Sequence, residues 1–247
     1  MSNAKSLPGR VALVTGAGVR LGRAFALGLA DAGADVLVHY HRSADEAEAT
    51  AERARSYGIQ AATVQADLSE LDQVQGLLDR SASALDEVDL LVNSAAIFGD
   101  QDATSFDGSA WQRHIDINLR APVFLTKALA HRRGEQPSAV VNLLDWRALR
   151  PGPDHVPYTI AKAGLAAATK SLAQAFAPNM RVNGLALGAI LPPPDSDGEK
   201  DPALADRIPQ DRWGRVDEAV EALLFLLAGP SYITGEILHV DGGRHLT

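Results

Sequence analysis

The sequence predicts one α/β domain of 247 residues, built on a parallel sheet with helices on both faces. Short apolar runs with strand character alternate with helix-periodic segments along the whole chain. The first of these runs leads through a glycine turn directly into a helix, which is the order that starts a doubly wound sheet. No internal repeat or linker interrupts the alternation, so residues 1–247 are expected to form a single domain.

Seven parallel strands are expected from apolar runs that are bounded by turn residues. The predicted strands are Val11–Val14, Asp35–Tyr40, Ala61–Gln65, Asp89–Asn93, Ala139–Leu144, Arg181–Ala186 and Glu236–Val240. The predicted helices are Gly22–Ala32, Ala44–Tyr57, Leu71–Ala84, Tyr158–Phe176 and Val216–Leu227. Phe106–Arg132 is also mostly helical in pattern, with a break or a new first turn at Pro122.

One long irregular stretch, residues 187–209, follows the sixth predicted strand. A loop of this length inside a compact domain is typical of a lid or a binding loop. Ligands of open α/β sheets bind beyond the carboxyl ends of the strands. The stretch is therefore predicted to cover a substrate site.

The composition is that of a globular protein, with 46% hydrophobic and 22% charged residues. A formal net charge of −8 disfavours a general role in binding nucleic acid or anionic membranes. The chain has no cysteine, which excludes disulfides and thiolate catalysis, and its seven histidines show no metal-ligand spacing. No run has the length of a membrane span and residues 1–10 lack a signal-peptide core, so a cytoplasmic location is expected.

The strongest single pattern is Val11–Gly22, in which a buried strand is followed by Thr15-Gly16-Ala17-Gly18 and the start of a helix. Glycines in such a turn let a pyrophosphate approach the backbone, and the free N–H groups and dipole of the helix attract its charge. The alternative is an ordinary turn that ends a strand. Because strand, turn and helix come in the required order, the sequence predicts a Rossmann-type dinucleotide site.

The end of the second predicted strand indicates which dinucleotide is bound. NAD sites usually place an acidic residue there, whereas His39-Tyr40-His41-Arg42-Ser43 contains none. A guanidinium with a neighbouring hydroxyl and imidazole suits a 2′-phosphate, so NADPH is predicted. The alternative is a solvated basic turn. Asp67-Leu68, after the third strand, is expected either to cap the next helix or to contact adenine.

A phenol and an ammonium, Tyr158 and Lys162, stand four residues apart and so share one face of a predicted helix. A cation beside a phenol stabilises the phenolate, and it is expected to lower the pKa of Tyr158. An exposed surface pair is the alternative. Asp145 and Asn93 stand at the ends of predicted strands. Asn118 lies in an apolar helix and needs a hydrogen-bond partner, either in the structure or in a proton relay.

Together these residues resemble the short-chain dehydrogenase/reductase family over nearly the whole chain. The matching motifs, in family order, are Thr15 to Gly22, Asp67, Asn93-Ser94-Ala95-Ala96, Asn118, Tyr158-x-x-x-Lys162 and Asp241-Gly242-Gly243. Within the family the chain is most similar to the pteridine and dihydromonapterin reductases. The subgroup likeness rests on Arg20 in place of the usual third glycine and on Asp145 in place of the usual serine. The segments His39–Ser43 and Asp241–Leu246 also resemble that subgroup.

The resemblance implies a role for each matching residue. Tyr158 donates the proton, Lys162 binds the nicotinamide ribose and Asn118 sustains the relay. Asp145, whose pKa a partly apolar site would raise, delivers a proton to the pteridine together with Tyr158. Arg20 reaches toward the pyrophosphate and the pterin, and Phe98 stacks on the pterin. The implied cofactor contacts are Gly16, Gly18, Arg20, Leu21, Gly22, His39, Tyr40, His41, Arg42, Ser43, Asp67, Leu68, Asn93, Ser94, Ala95, Lys162 and Gly188. The implied substrate contacts are Arg20, Phe98, Asp145 and Tyr158.

The sequence thus predicts an NADPH-dependent reductase that transfers hydride to a C=N bond of a pteridine. The resemblance also implies a homotetramer, and it implies no metal. Two residues depart from the expected pattern, Ala96 where the subgroup has serine and Leu187 before Gly188 where the family has proline. A carbonyl reductase of ketones or 3-oxoacyl thioesters is the enzymatic alternative, which the missing serine disfavours. A non-catalytic NADPH sensor or scaffold is the third hypothesis.

Overall fold

The computed structural model describes residues 6–99, 101–192 and 200–247. Within these residues, seven strands form one parallel sheet in the order β3-β2-β1-β4-β5-β6-β7. The strands are β1 (Val11–Val14), β2 (Asp35–Tyr40), β3 (Ala61–Gln65), β4 (Leu90–Asn93), β5 (Ser138–Asp145), β6 (Met180–Leu187) and β7 (Ile237–Val240). The strand order reverses between β1 and β4, so the carboxyl ends of these two strands form the switch point where ligands bind.

The helices cover both faces of the sheet. They are α1 (Arg20–Asp31), α2 (Ala44–Arg55), α3 (Leu71–Gln75), α4 (Leu77–Ala84), α5 (Gly108–Ile115), α6 (Ala121–Arg133), α7 (Val156–Phe176), α8 (Pro202–Ala205) and α9 (Val216–Ala228). A π-helical segment (Asp116–Arg120) joins α5 to α6, and 3₁₀ turns lie at Trp146–Ala148 and Arg244–Leu246. None of the helices among the described residues is long and apolar enough to cross a membrane.

Alternating side chains of the strands build a separate core on each face of the sheet. On one face Val14 packs with Phe25 of α1 and Leu223 of α9. On the other face Leu91 packs with Leu125 of α6. Both faces are therefore closed, which leaves the strand ends as the place for a site.

The predicted fold class and all seven strands are confirmed, with strand bounds that differ by no more than one residue at either end. Two details differ. The single helix predicted over Leu71–Ala84 is divided at Gly76, which ends α3 and precedes α4. The new first turn predicted at Pro122 is confirmed, because Pro122 lies in the first turn of α6, directly after the π-helical segment. The stretch 187–209 begins within β6 and contains α8, and its residues 193–199 lie outside the described residues.

Candidate active site

The glycine turn lies at the switch point and is fixed to β4. Gly16 has a φ of +65°, and a Cβ there would lie 3.0 Å from the Cα of Ala95. A Cβ on Gly22 would lie only 2.1 Å from the carbonyl oxygen of Gly16. The hydroxyl of Thr15 accepts hydrogen bonds from the N–H groups of Ser94 and Ala95. Only glycine fits where the turn and the helix approach this closely, and the turn together with the N-terminus of α1 forms a cradle that can hold an anion.

His39 lies beneath this turn and not in the cleft. It is 1% exposed, its Nδ1 accepts the N–H of Gly16 at 3.1 Å, and its Nε2 contacts the carbonyl of Ala66 at 3.1 Å. A carbonyl only accepts, so Nε2 carries the proton and the ring is neutral. Burial lowers the pKa of His39 to about 4. The prediction that this side chain contacts the cofactor phosphate is corrected, since neither ring nitrogen is free for a phosphate.

A cleft of about 450 Å³ extends from the glycine turn along the ends of β2 and β3. Its lining includes Gly16, Gly18, Tyr40, His41, Arg42, Ser43 and Asp67. Ser43 precedes α2, but its side chain makes no capping hydrogen bond to that helix. His41 Nε2 lies 3.2 Å from a carboxylate oxygen of Asp67. The predicted basic segment therefore does line one cleft with the glycine turn.

Two of the residues predicted to contact the cofactor, Asp67 and Leu68, interact with neighbouring groups of the protein. Asp67 accepts hydrogen bonds from the N–H and hydroxyl of Ser69, which lower its pKa against the opposing effect of burial. Glu70, and not Asp67, precedes α3, so the predicted cap of that helix is wrong. Leu68 is 5% exposed and packs into the core, so its side chain is not a cofactor contact.

The two asparagines near the sheet edge hold backbone and strands in place. Asn93 is buried, and its Nδ2 donates to Oδ1 of Asn142 at 2.8 Å, so its side chain points into the protein and away from a cofactor contact. Asn118 is fully buried in the π-helical segment. Its Oδ1 accepts the N–H of Ile97, and its Nδ2 donates to the carbonyl of Ile97 and lies 3.0 Å from Nδ1 of His114.

Asp145 and Tyr158 meet as the sequence predicts. The hydroxyl of Tyr158 on α7 lies 3.3 Å from Oδ2 of Asp145, and both groups are largely buried. The other carboxylate oxygen accepts the N–H of Arg147 at 2.8 Å. Burial raises the pKa of Asp145, although Arg147 and Lys162 oppose the shift. A partly buried carboxyl that retains its proton to higher pH is suited to act as an acid.

Lys162 shares the site but does not act on Tyr158 as expected. Its Nζ donates to the carbonyl of Leu143 at 2.6 Å and lies 5.8 Å from the centre of the Tyr158 ring. Burial raises the pKa of Tyr158 well above its usual range, and the carboxylate of Asp145 raises it further. The predicted lowering of this pKa is therefore wrong for the protein in this state. Burial also lowers the pKa of Lys162, to about 8.

Phe98 contacts Tyr158, whereas the contacts of Arg20 and Gly188 are with other segments of the chain. Phe98 is 52% exposed, and its ring meets that of Tyr158 edge-on with centres 4.8 Å apart. Arg20 has a φ of +52°, and its guanidinium donates to the carbonyl of Pro192 at 2.7 Å. A Cβ on Gly188 would lie 2.7 Å from the Cα of Asp241, so the end of β6 packs against the end of β7. An exposed aromatic face thus lies beside the acid pair.

Sequence reasoning missed three polar residues near the pair. His114 is 3% exposed and contacts Asn118 four residues later, a spacing that could have indicated it. Arg147 and Arg244 both lie over the ring of Trp146, at 4.8 and 4.5 Å from its centre. Nothing in the sequence connects Arg244 with Trp146, which are brought together only by the sheet. Among the described residues, no group of three or more potential metal ligands lies together.

The fold and the site define a dinucleotide-binding protein of the Rossmann type with an acid pair beside the cradle. A family model described as Enoyl-(Acyl carrier protein) reductase matches residues 16–245. A 2-dehydro-3-deoxy-D-gluconate 5-dehydrogenase of Escherichia coli is 30% identical over 98% of this chain and 97% of that protein. A 3-oxoacyl-[acyl-carrier-protein] reductase of Synechocystis is 34% identical over 96% of this chain and 98% of that protein.

Among solved structures, the FolM alternative dihydrofolate reductase 1 of Brucella canis, complexed with NADP, is similar with a TM-score of 0.92. It is 34% identical, and the match covers 99% of this chain and 97% of that one. The chain belongs to the short-chain dehydrogenase/reductase family and is an oxidoreductase.

Proposed function

We propose that this protein is an NADPH-dependent reductase that transfers a hydride to a C=N bond of a pteridine. The observation that carries the proposal is the contact between Tyr158 and Asp145, at 3.3 Å. Reduction of a ring C=N adds hydride to carbon and requires a proton at nitrogen. A buried carboxyl paired with a phenol can supply that proton more readily than a serine in the same place.

NADPH fits the residues that surround the cradle. Gly16 and Gly22 leave no room for side chains in the cradle. The N–H groups of Gly16 and Ala17 are bound to His39, so the pyrophosphate is assigned to the N-terminus of α1. Arg42 makes no ion pair within the described residues, so its charge is available to a 2′-phosphate in the same cleft. When bound, the cofactor supplies the hydride. NADP in the similar Brucella canis structure agrees with this assignment.

The site residues divide the remaining work among them. Asp145 takes up a proton and holds it near the position of the substrate nitrogen, because burial raises its pKa. Tyr158 is hydrogen-bonded to that carboxyl and passes the proton or orients its donor. Lys162 binds the nicotinamide ribose and Asn118 sustains a relay behind it, as in the family that the chain resembles. Phe98 offers an exposed ring for a flat pterin, and Arg20 is assigned to the pyrophosphate and the pterin.

The test is NADPH oxidation with dihydrobiopterin or dihydromonapterin by the wild type and by Asp145→Ser. The proposal expects pterin-dependent turnover that collapses in the variant, because serine cannot supply an acidic proton. Brisk reduction of ketones without any pterin turnover would reject it.

A second candidate, a reductase of ketones or 3-oxoacyl thioesters, is supported by the names of relatives such as the Synechocystis enzyme. The same assay separates the two. If this candidate holds, Asp145→Ser retains or gains carbonyl reduction, because a serine hydroxyl can orient a substrate carbonyl.

Three further assignments belong to the proposal. Residues 187–209 form the substrate-binding loop of a single domain, which the bond from Arg20 to the carbonyl of Pro192 supports. The chain assembles as a homotetramer, by analogy with its family. It works in the cytoplasm, and no helix among the described residues could cross a membrane.

A further inference from the structure

Two arginines lie over one indole ring directly after the catalytic carboxyl. Trp146 follows Asp145 in the chain, and the guanidinium carbons of Arg147 and Arg244 lie 4.8 and 4.5 Å from its ring centre. Two like charges over one ring repel each other. The arrangement therefore needs either neutralising partners or a bound anion.

The two arginines differ in their partners. Arg147 is neutralised, because its guanidinium lies 3.0 Å from Asp154 and 3.8 Å from Asp145. Arg244 makes no ion pair and no side-chain hydrogen bond with any of the described residues, and the Trp146 ring is its only such contact there. Burial lowers the pKa of Arg244 and the charge of Arg147 lowers it further, although the carboxylates of Asp145 and Asp154 oppose the shift without forming an ion pair with it.

The position of Arg244 is built into the fold. The preceding residues form a turn around Asp241, which is buried and accepts hydrogen bonds from the N–H of Gly243 and from the N–H and Nδ1 of His245. Arg244 is held inside this turn, between two anchored neighbours. A half-buried guanidinium fixed in this way loses little freedom when it binds a ligand.

We propose that Arg244 binds a carboxylate of the substrate, and that the preferred pteridine carries this carboxylate on its side chain. This inference rests on the proposed pteridine reductase function. The pterin ring is neutral, so the anion must belong to the side chain. A planar guanidinium matches a carboxylate with two parallel hydrogen bonds. The adjoining Trp146 ring offers an apolar surface to the part of the substrate that links its pterin ring to the carboxylate.

The test compares dihydrofolate, whose side chain ends in carboxylates, with dihydrobiopterin, whose side chain is uncharged. Wild type, Arg244→Gln and Arg244→Lys are assayed at saturating NADPH. Arg150→Gln is the matched control, because Arg150 is exposed and lies four residues after Trp146 in the chain but is not over its ring. It removes the same charge from the same region without removing the proposed contact.

We expect Arg244→Gln to raise the KM for dihydrofolate about 10- to 100-fold, as the loss of a charged hydrogen bond does. Its KM for dihydrobiopterin should stay within about twofold of wild type, because that substrate lacks the anion. Arg244→Lys should recover part of the loss. Added salt should raise the wild-type KM for dihydrofolate more than that for dihydrobiopterin, and this difference should vanish in Arg244→Gln.

The outcomes separate this inference from the function on which it rests. Equal losses for both pterins in Arg244→Gln would show that Arg244 only supports Trp146, and would overturn the inference while the pteridine function stands. An effect of Arg150→Gln as large as that of Arg244→Gln would overturn it as well. Absence of turnover with either pterin would reject the proposed function, and the inference with it.

Discussion

The exchange Asp145→Asn tests the proton source most directly, because it removes the ionisable proton and keeps the size of the side chain. The amide oxygen can still accept the N–H of Arg147, and the side chain still reaches Tyr158, 3.3 Å from the carboxylate in the native protein. A positioned general acid contributes about 10²- to 10⁴-fold, which corresponds to about 2.7–5.4 kcal/mol of transition-state stabilisation. We expect kcat/KM for the pterin to fall by a factor in that range.

The assay follows NADPH absorbance with a dihydropterin between about pH 5 and pH 9. The wild-type rate should fall as the pH rises through the elevated pKa of Asp145, and the variant should lose this dependence. Asp154→Asn is the matched control, because Asp154 also binds Arg147 but is 48% exposed and makes no described contact with Tyr158. Retention of wild-type kcat/KM by Asp145→Asn would refute the assignment of the acid.

The Asp145→Asn variant should be more stable than wild type at alkaline pH. The folded pKa of Asp145 lies above its unfolded value, so its contribution to stability is present at low pH and is lost as the pH rises through the folded pKa. The loss is at most about 1.4 kcal/mol for each pH unit between the two pKa values, and asparagine avoids it. Thermal unfolding at two pH values measures this. If Asp145→Asn were less stable than wild type at both pH values, the folded protein would not be disfavouring the charged form of Asp145.

Three further exchanges test the cofactor cradle. Gly22→Ala should lower the free energy of unfolding by at least about 2 kcal/mol and weaken NADPH binding, because its Cβ would lie 2.1 Å from the Gly16 oxygen. Gly108→Ala, with open space around its Cβ, is the control in urea unfolding and should not destabilise. The wild type should lose about 3 kcal/mol of stability as the pH falls from 6.5 to about 4, because only the unfolded chain takes up the His39 proton in that range. His39→Gln should abolish this loss. Arg42→Ala should raise the Kd for NADPH about 10- to 100-fold and leave that for NADH nearly unchanged. If fluorescence titrations showed the same ratio of the two Kd values in Arg42→Ala as in wild type, the 2′-phosphate would be bound by another residue.

The sequence was sufficient for the sheet because each strand is an apolar run that both faces of the sheet bury. The helix break at Gly76 was missed, since a lone glycine is compatible with a continuing helix and tertiary packing decides the outcome. Asp145 and Tyr158 could be paired in advance because a strand end and a helix face meet at one edge. His39 could not be placed, because only the fold decides whether a residue near a strand end faces the cleft or lies under the turn.

The direction of each pKa shift was also beyond the sequence, except for Asp145. A lysine four residues from a tyrosine suggests a lowered phenol pKa, but Nζ of Lys162 is bound to the carbonyl of Leu143. Burial then dominates, and Tyr158 holds its proton more tightly than a free phenol. The distance and orientation of one ammonium group decide this result, and neither follows from spacing along a helix.

Asp145 is consequently the more acidic member of the hydrogen-bonded pair, and the pair titrates as a unit. A flat pterin stacked on Phe98 would exclude water from the carboxyl and so disfavour its charged form further. The pH dependence of kcat reports the enzyme–substrate complex, whereas that of kcat/KM reports the free enzyme. We therefore expect the alkaline fall in kcat to occur at higher pH than the fall in kcat/KM. Steady-state kinetics across pH measures both. Coincident falls would mean that the bound substrate leaves Asp145 as hydrated as before.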